Sequence, residues 1–119
     1  MDVRALYENI GVDFADVLAL LRKEERIKAY LVQTMDDPAF AALDSAMEQG
    51  DHEAAFRAAH TIKGMSMNLM LKPMTETAVE LVECLRDGLA PGEEERAHAL
   101  YRQLKASCEH LTALVGELA

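Results

Sequence analysis

The chain is predicted to fold as an all-α protein: an antiparallel four-helix bundle with additional N-terminal helices. Three observations predict this. Half of the residues are apolar but only 5% are aromatic, and Pro (3) and Gly (6) are scarce. The abundant residues, Leu, Ala, Glu, Met and Arg, are good helix formers. Apolar residues recur three and four positions apart along most of the chain, which is the helical period. Helix start and stop signals punctuate that pattern at short intervals. At 119 residues the chain is read as one domain with room for a sizeable core. Residues 1–35 are expected to form a helical cover, and residues 36–119 the bundle.

Each element follows from local pattern. Val3, Leu6, Tyr7 and Ile10 make a first stripe, which Gly11 ends. Asp13 is placed to cap a helix carrying Phe14, Val17, Leu18 and Leu21. Beyond the charged run Arg22–Arg26, a stripe of Ile27, Tyr30, Leu31 and Met35 follows, the two separated by a break that is either full or only a kink. Asp36-Asp37-Pro38 opens the next helix, Pro suiting the first helical position. It buries Phe40, Leu43 and Met47 and stops at Gly50. Asp51 caps a helix running to about Met70. Pro73 opens another, with Met74, Ala78, Leu81, Val82 and Leu85 inward and Gly88 as its left-handed terminator. Pro91-Gly92 starts the last, its acids Glu93, Glu94 and Glu95 at the positive end of the dipole. Its seam is Ala97, Leu100, Leu104, Cys108, Leu111, Val115 and Leu118.

Several function classes are disfavoured. A formal net charge of −9 argues against nucleic acid, since phosphate binding needs a basic surface. The longest apolar stretch, Val17 to Leu21, is far too short to span a bilayer. No basic region followed by an apolar run opens the chain, so a signal peptide is not expected. Cys84 and Cys108 fit no metal-finger spacing and read as two small buried thiols in a reducing setting. A cytoplasmic monomer is the expectation. Glu95 and His98 form one Glu-x-x-His pair, where a di-iron bundle needs two plus further carboxylates; no metal and no cofactor are expected. His52, His98 and His110 read as solvated. With no glycine-rich phosphate loop, the chain is not expected to bind or hydrolyse nucleotide by itself.

The helix from His52 onward carries two apolar stripes. Ala55, Ala58, Ala59, Ile62, Met65, Ser66 and Leu69 form a wide one rich in small residues, suited to close packing against neighbours. Rotated from it lie Phe56, His60, Lys63, Gly64 and Met67. A surface stripe is ordinarily charged; this one sets two large apolar residues around an imidazole, a cation and a missing side chain. Gly in a helix costs roughly 1 kcal/mol relative to Ala, so its presence four residues after His60 suggests that something must come close. Imidazole is a good nucleophile near neutral pH. A phosphoryl group on it would bring negative charge that Lys63, one turn on, could offset. The acids Glu76, Glu80, Glu83 and Asp87 form a stripe read as a solvated face, from which one member could hydrogen-bond the second ring nitrogen. Asn68 reads as a helix-end hydrogen-bonder.

Ala59-His60-Thr61-Ile62-Lys63-Gly64 followed by Asn68-Leu69 resembles the signature of the histidine-containing phosphotransfer domains of two-component phosphorelays. Asp36–Phe40, Gly50–Arg57 and Leu6–Phe14 resemble the flanking segments of free-standing bacterial members. Met67 departs from the pattern where a small residue is usual, and Met70 where a glycine often follows Asn-Leu. The resemblance implies His60 as phosphoacceptor, Lys63 as charge compensation and Gly64 as steric clearance, with Phe56 and Met67 contacting the partner. The implied partners are receiver domains of response regulators or hybrid histidine kinases, which bring the Mg²⁺ and the acidic pocket. The implied role is a carrier without its own kinase site. The alternative reading is a helical bundle that uses the same face to bind a partner without transferring phosphate.

Overall fold

Seven helices and no strand follow one another in a computed structural model that describes residues 1–119: α1 (Val3–Asn9), α2 (Phe14–Leu21), α3 (Glu24–Met35), α4 (Ala39–Gln49), α5 (His52–Asn68), α6 (Lys72–Leu85) and α7 (Glu94–Gly116). The helix α5 packs between α4 and α6, and α6 packs on α7. Short connections make consecutive helices of the bundle α4–α7 antiparallel. One continuous core runs through all seven helices, so α1 and α2 share it with the bundle.

Aspartates start four helices by accepting from free backbone N–H groups of the first turn. Asp2 accepts from Ala5 N at 2.9 Å, Asp13 from Ala15 N at 3.0 Å, Asp37 from Ala39 N at 2.8 Å and Asp51 from Ala54 N at 3.1 Å. Three helix ends share one backbone design, the paired bonds that close a helix around a left-handed residue. At the end of α1, Val12 N reaches Tyr7 O and Gly11 N reaches Glu8 O. At the end of α4, Asp51 N reaches Ala46 O and Gly50 N reaches Met47 O. At the end of α5, Leu71 N reaches Ser66 O and Met70 N reaches Met67 O. The left-handed residue is Gly11 (φ 77°), then Gly50 (φ 68°), then Met70 (φ 55°). Met70 therefore occupies the position where glycine is least strained, which is the physical reason for a glycine after Asn-Leu.

Three details sharpen the sequence reading. The break between α2 and α3 is full: Arg22 has φ 74°, and Lys23 N bonds Leu21 O at 2.9 Å across a three-residue turn. The helix α6 stops at Leu85; Arg86 is extended, and both Asp87 (φ 60°) and Gly88 (φ 82°) are left-handed, so Gly88 completes a turn already begun at Asp87. Two of the histidines read as solvated have partners. His52 Nε2 lies 3.4 Å from Glu94 Oε1, and His110 Nε2 lies 2.8 Å from Asn9 Oδ1.

The N-terminal helices are bound to one end of the bundle by specific polar contacts. The fully buried Tyr7 donates its hydroxyl to Leu69 O, the carbonyl that follows α5, at 2.7 Å. Burial raises the Tyr7 pKa, so this hydroxyl keeps its proton and remains a donor. The Tyr7 and Phe14 rings are 5.9 Å apart. The Met1 ammonium donates to Glu117 O at 3.0 Å, and Lys28 Nζ donates to Ala119 O. Between α4, α7 and Met35 at the end of α3 lies a groove of about 400 Å³ that includes Phe40, Leu43, Tyr101 and Cys108. Both cysteines are free, and burial pushes the Cys108 thiol up to about 12, which keeps it protonated and unreactive.

Two substitutions test this account. Gly50→Ala places a side chain at φ 68° and is expected to destabilise the protein by about 1 kcal/mol in denaturant titration. Tyr7→Phe leaves the Leu69 carbonyl without its partner. It is expected to cost about 1–2 kcal/mol and to speed amide exchange first in α1.

Candidate functional site

The helix α5 buries one face and presents another. Ala55, Ala58, Ala59, Ile62 and Ser66 are buried, as the small-residue stripe predicts. With so little side-chain bulk on that face, α4 and α6 can approach closely and exclude water. Ser66 Oγ donates to Lys63 O at 2.9 Å, and Thr75 Oγ1 on α6 donates to Ser66 Oγ at 2.9 Å. This pair pins the backbone beneath Lys63 to the neighbouring helix and fixes the rotation of α5.

The second stripe faces outward. His60 and Gly64 are exposed, Met67 is 53% exposed, and Phe56 and Lys63 are half-buried. No atom lies within 4 Å of where a Cβ on Gly64 would sit. The glycine is therefore not required by helix packing, and the space above it is open. The Phe56 and His60 rings are 6.0 Å apart and tilted by 38°. Of the five ion pairs in the molecule, none uses Lys63, so its ammonium is available to an incoming anion. All five candidate residues thus lie on one accessible strip of one rigid helix.

The segment just beyond α6 contributes a residue that the sequence reading did not select. No acid of α6 bonds His60. Glu83 is instead engaged by Arg86 Nη2 at 2.9 Å, and the Arg86 guanidinium carbon lies 5.7 Å from the centre of the Phe56 ring. The signal for it would have been the register between α5 and α6, which the Ser66–Thr75 pair sets and which no local pattern encodes. Asn68 is exposed at the last position of α5, and the helix end beyond it is closed by backbone groups. No three His, Cys, Asp or Glu side chains converge to hold a metal ion. No helix is long and apolar enough to cross a membrane.

The molecule is thus a helical bundle with an outward histidine at mid-helix, a lysine outside its ion pairs nearly one turn on, and open space at Gly64. The chain belongs to the Hpt domain family, whose pattern matches residues 26–115. The family implies histidine phosphotransfer in two-component phosphorelays, its members being phosphoryl carriers that interact with receiver domains. The helices α1 and α2 precede the matched segment. No curated protein and no solved structure gives a significant match to the chain.

Gly64→Ala is expected to raise stability by roughly 0.5–1 kcal/mol, because the methyl meets nothing and the helix gains propensity. A lower denaturation midpoint in this variant would contradict the open geometry above Gly64.

Proposed function

We propose that this chain is a phosphorelay intermediate in which His60 accepts a phosphoryl group from a receiver-domain phosphoaspartate and passes it to a second receiver. The observation that carries the reading is the exposed imidazole of His60, flanked by Phe56, Lys63 and Met67, with no atom near the Gly64 Cβ position.

Each residue has a physical part in this scheme. One nitrogen of the neutral imidazole holds the lone pair that attacks phosphorus, while the other keeps its proton. Lys63 offsets the charge that arrives on the ring. Gly64 leaves clearance for the receiver's active site, and Phe56 with Met67 supplies apolar contact around the reacting group. The receiver brings its own acidic pocket and divalent cation. The rigidity of α5 supplies the orientation on which transfer depends. In the proposed division, residues 1–35 cover the bundle end and residues 36–119 carry the exchange. The protein acts as a cytoplasmic monomer without a kinase or nucleotide site of its own.

Incubation with a phosphorylated receiver is expected to place an acid-labile, base-stable label on the wild type and none on His60→Gln, whose circular dichroism should be unchanged. Label persisting in His60→Gln, on His52, His98 or His110, would refute the assignment. Complex formation without label would favour a purely binding role for this face. Lys63→Ala should still accept phosphate, about three- to tenfold more slowly at low salt, as expected for losing one partly exposed charge contact. Unchanged rates would make Lys63 an ordinary surface lysine.

A further inference from the structure

We propose that Arg86 is a second phosphoryl-binding cation of this site, one that leaves its resting contacts to clasp the phosphohistidine formed at His60. The inference rests on the phosphotransfer reading and adds a residue from outside α5, just beyond the end of α6.

The Phe56 ring links the two groups. The Arg86 guanidinium carbon lies 5.7 Å from the ring centre, and the His60 ring lies 6.0 Å from it. The guanidinium and the imidazole thus both neighbour the same aromatic ring. Phe56 precedes His60 by one turn of α5, and Lys63 follows it by nearly one turn. Lys63 thus stands on the same helix as His60, and Arg86, just beyond α6, lies against the ring of Phe56 that neighbours His60.

The resting contacts of Arg86 hold it weakly. Its partner Glu83 is 60% exposed and its own side chain 48% exposed, and exposed ion pairs contribute little. Its backbone is extended (φ −61°, ψ 133°) just beyond α6, so helical packing does not confine the side chain. Arg86 is also held by Phe56, whose ring face attracts a cation but carries no net charge.

Transfer changes this balance. The N–P bond forms as the P–O bond to the receiver's aspartyl carboxylate breaks; the carboxylate leaves as an anion, and the second ring nitrogen keeps its proton. The phosphoryl group brings about two negative charges on three acceptor oxygens, partly offset by the positive charge of the ring that keeps its proton. A guanidinium fork matches such oxygens with two parallel hydrogen bonds. A doubly charged group competes successfully with the single carboxylate of Glu83 for the same cation. Arg86 then favours residence of the phosphoryl group on His60 over its return to the receiver, and Glu83 tempers that preference by competing for Arg86.

The test compares wild type, Arg86→Ala, Arg86→Lys and Glu83→Gln. Each is first phosphorylated with phosphoramidate, a small donor that needs no docking surface, and its phosphorus resonance is followed against pH. Each is then brought to phosphoryl equilibrium with one receiver at concentrations too low to populate the complex, where docking affects rates but not the equilibrium ratio. Arg86→Ala is expected to lower the phosphohistidine-to-phosphoaspartate ratio about three- to tenfold and to raise the pH at which the phosphoryl oxygens take up a proton. Arg86→Lys should fall between it and wild type. Glu83→Gln should raise the ratio, a gain that misfolding cannot mimic. An equilibrium ratio and phosphorus titration identical to wild type in Arg86→Ala, with His60 phosphorylated, would overturn the role of Arg86 alone. Failure of phosphoramidate to label wild-type His60 would overturn the phosphotransfer reading and this inference with it.

Discussion

The close, one-sided burial of α5 is the constraint on which the rest of the molecule depends. Ala55, Ala58 and Ala59 contribute little apolar area each, so their value lies in letting neighbouring helices approach rather than in transfer energy. Ile62 supplies more of the latter, since a fully buried side chain of its size is worth about 1.5–3 kcal/mol. Against such a face a helix has little rotational freedom, because a small rotation would drive Phe56 or Lys63 into α4 or α6. The Ser66–Thr75 hydrogen bond removes what freedom remains. The outward direction of His60 is therefore a consequence of what the opposite face buries.

The end of α5 nearest the N-terminal helices is held with equal care. Its last carbonyls are satisfied by the backbone of Met70 and Leu71 and by the hydroxyl of Tyr7. Met70 takes a left-handed conformation that costs a side-chain-bearing residue about 1–2 kcal/mol. Its side chain packs against the core, which offsets part of that cost. The helices α1 and α2 precede the segment that matches the family, and the Tyr7 hydroxyl is one of the contacts that join them to the bundle. The join is made at one end, well away from His60 along α5, and leaves the exposed strip uncovered.

Charge is distributed against the overall balance. The chain carries a formal net charge of −9, yet the strip around His60 has Lys63 on it and Arg86 beside it, and neither is neutralised by a buried partner. Anionic surroundings keep the protein soluble, and the local cations reserve one place where added negative charge is welcome. The two cysteines add no reactivity to this surface. Cys108 lies in the groove between α4 and α7, and burial raises the pKa of both thiols.

Much of the fold, and the outward placement of the candidate strip, was legible in the residues themselves. Helical period, aspartate caps and the glycine stops at Gly11 and Gly50 are local effects, settled within one or two turns. The strip from Phe56 to Met67 follows from the same period once the small-residue face is recognised as the buried one. Other features depend on how separate helices meet. Whether Arg22 would kink or break the chain depended on where α2 and α3 each find core contacts. His110 and Asn9 are far apart in sequence and meet only because α1 returns to the end of α7. Arg86 reaches Phe56 because the register between α5 and α6 brings the two together, and register is set by side chains that interlock across an interface. The sequence by itself determined an α-helical bundle and an exposed histidine strip, because helical period and capping act between near neighbours. The tertiary structure decided which residues of other helices stand beside that strip, because only packing aligns one helix with the next.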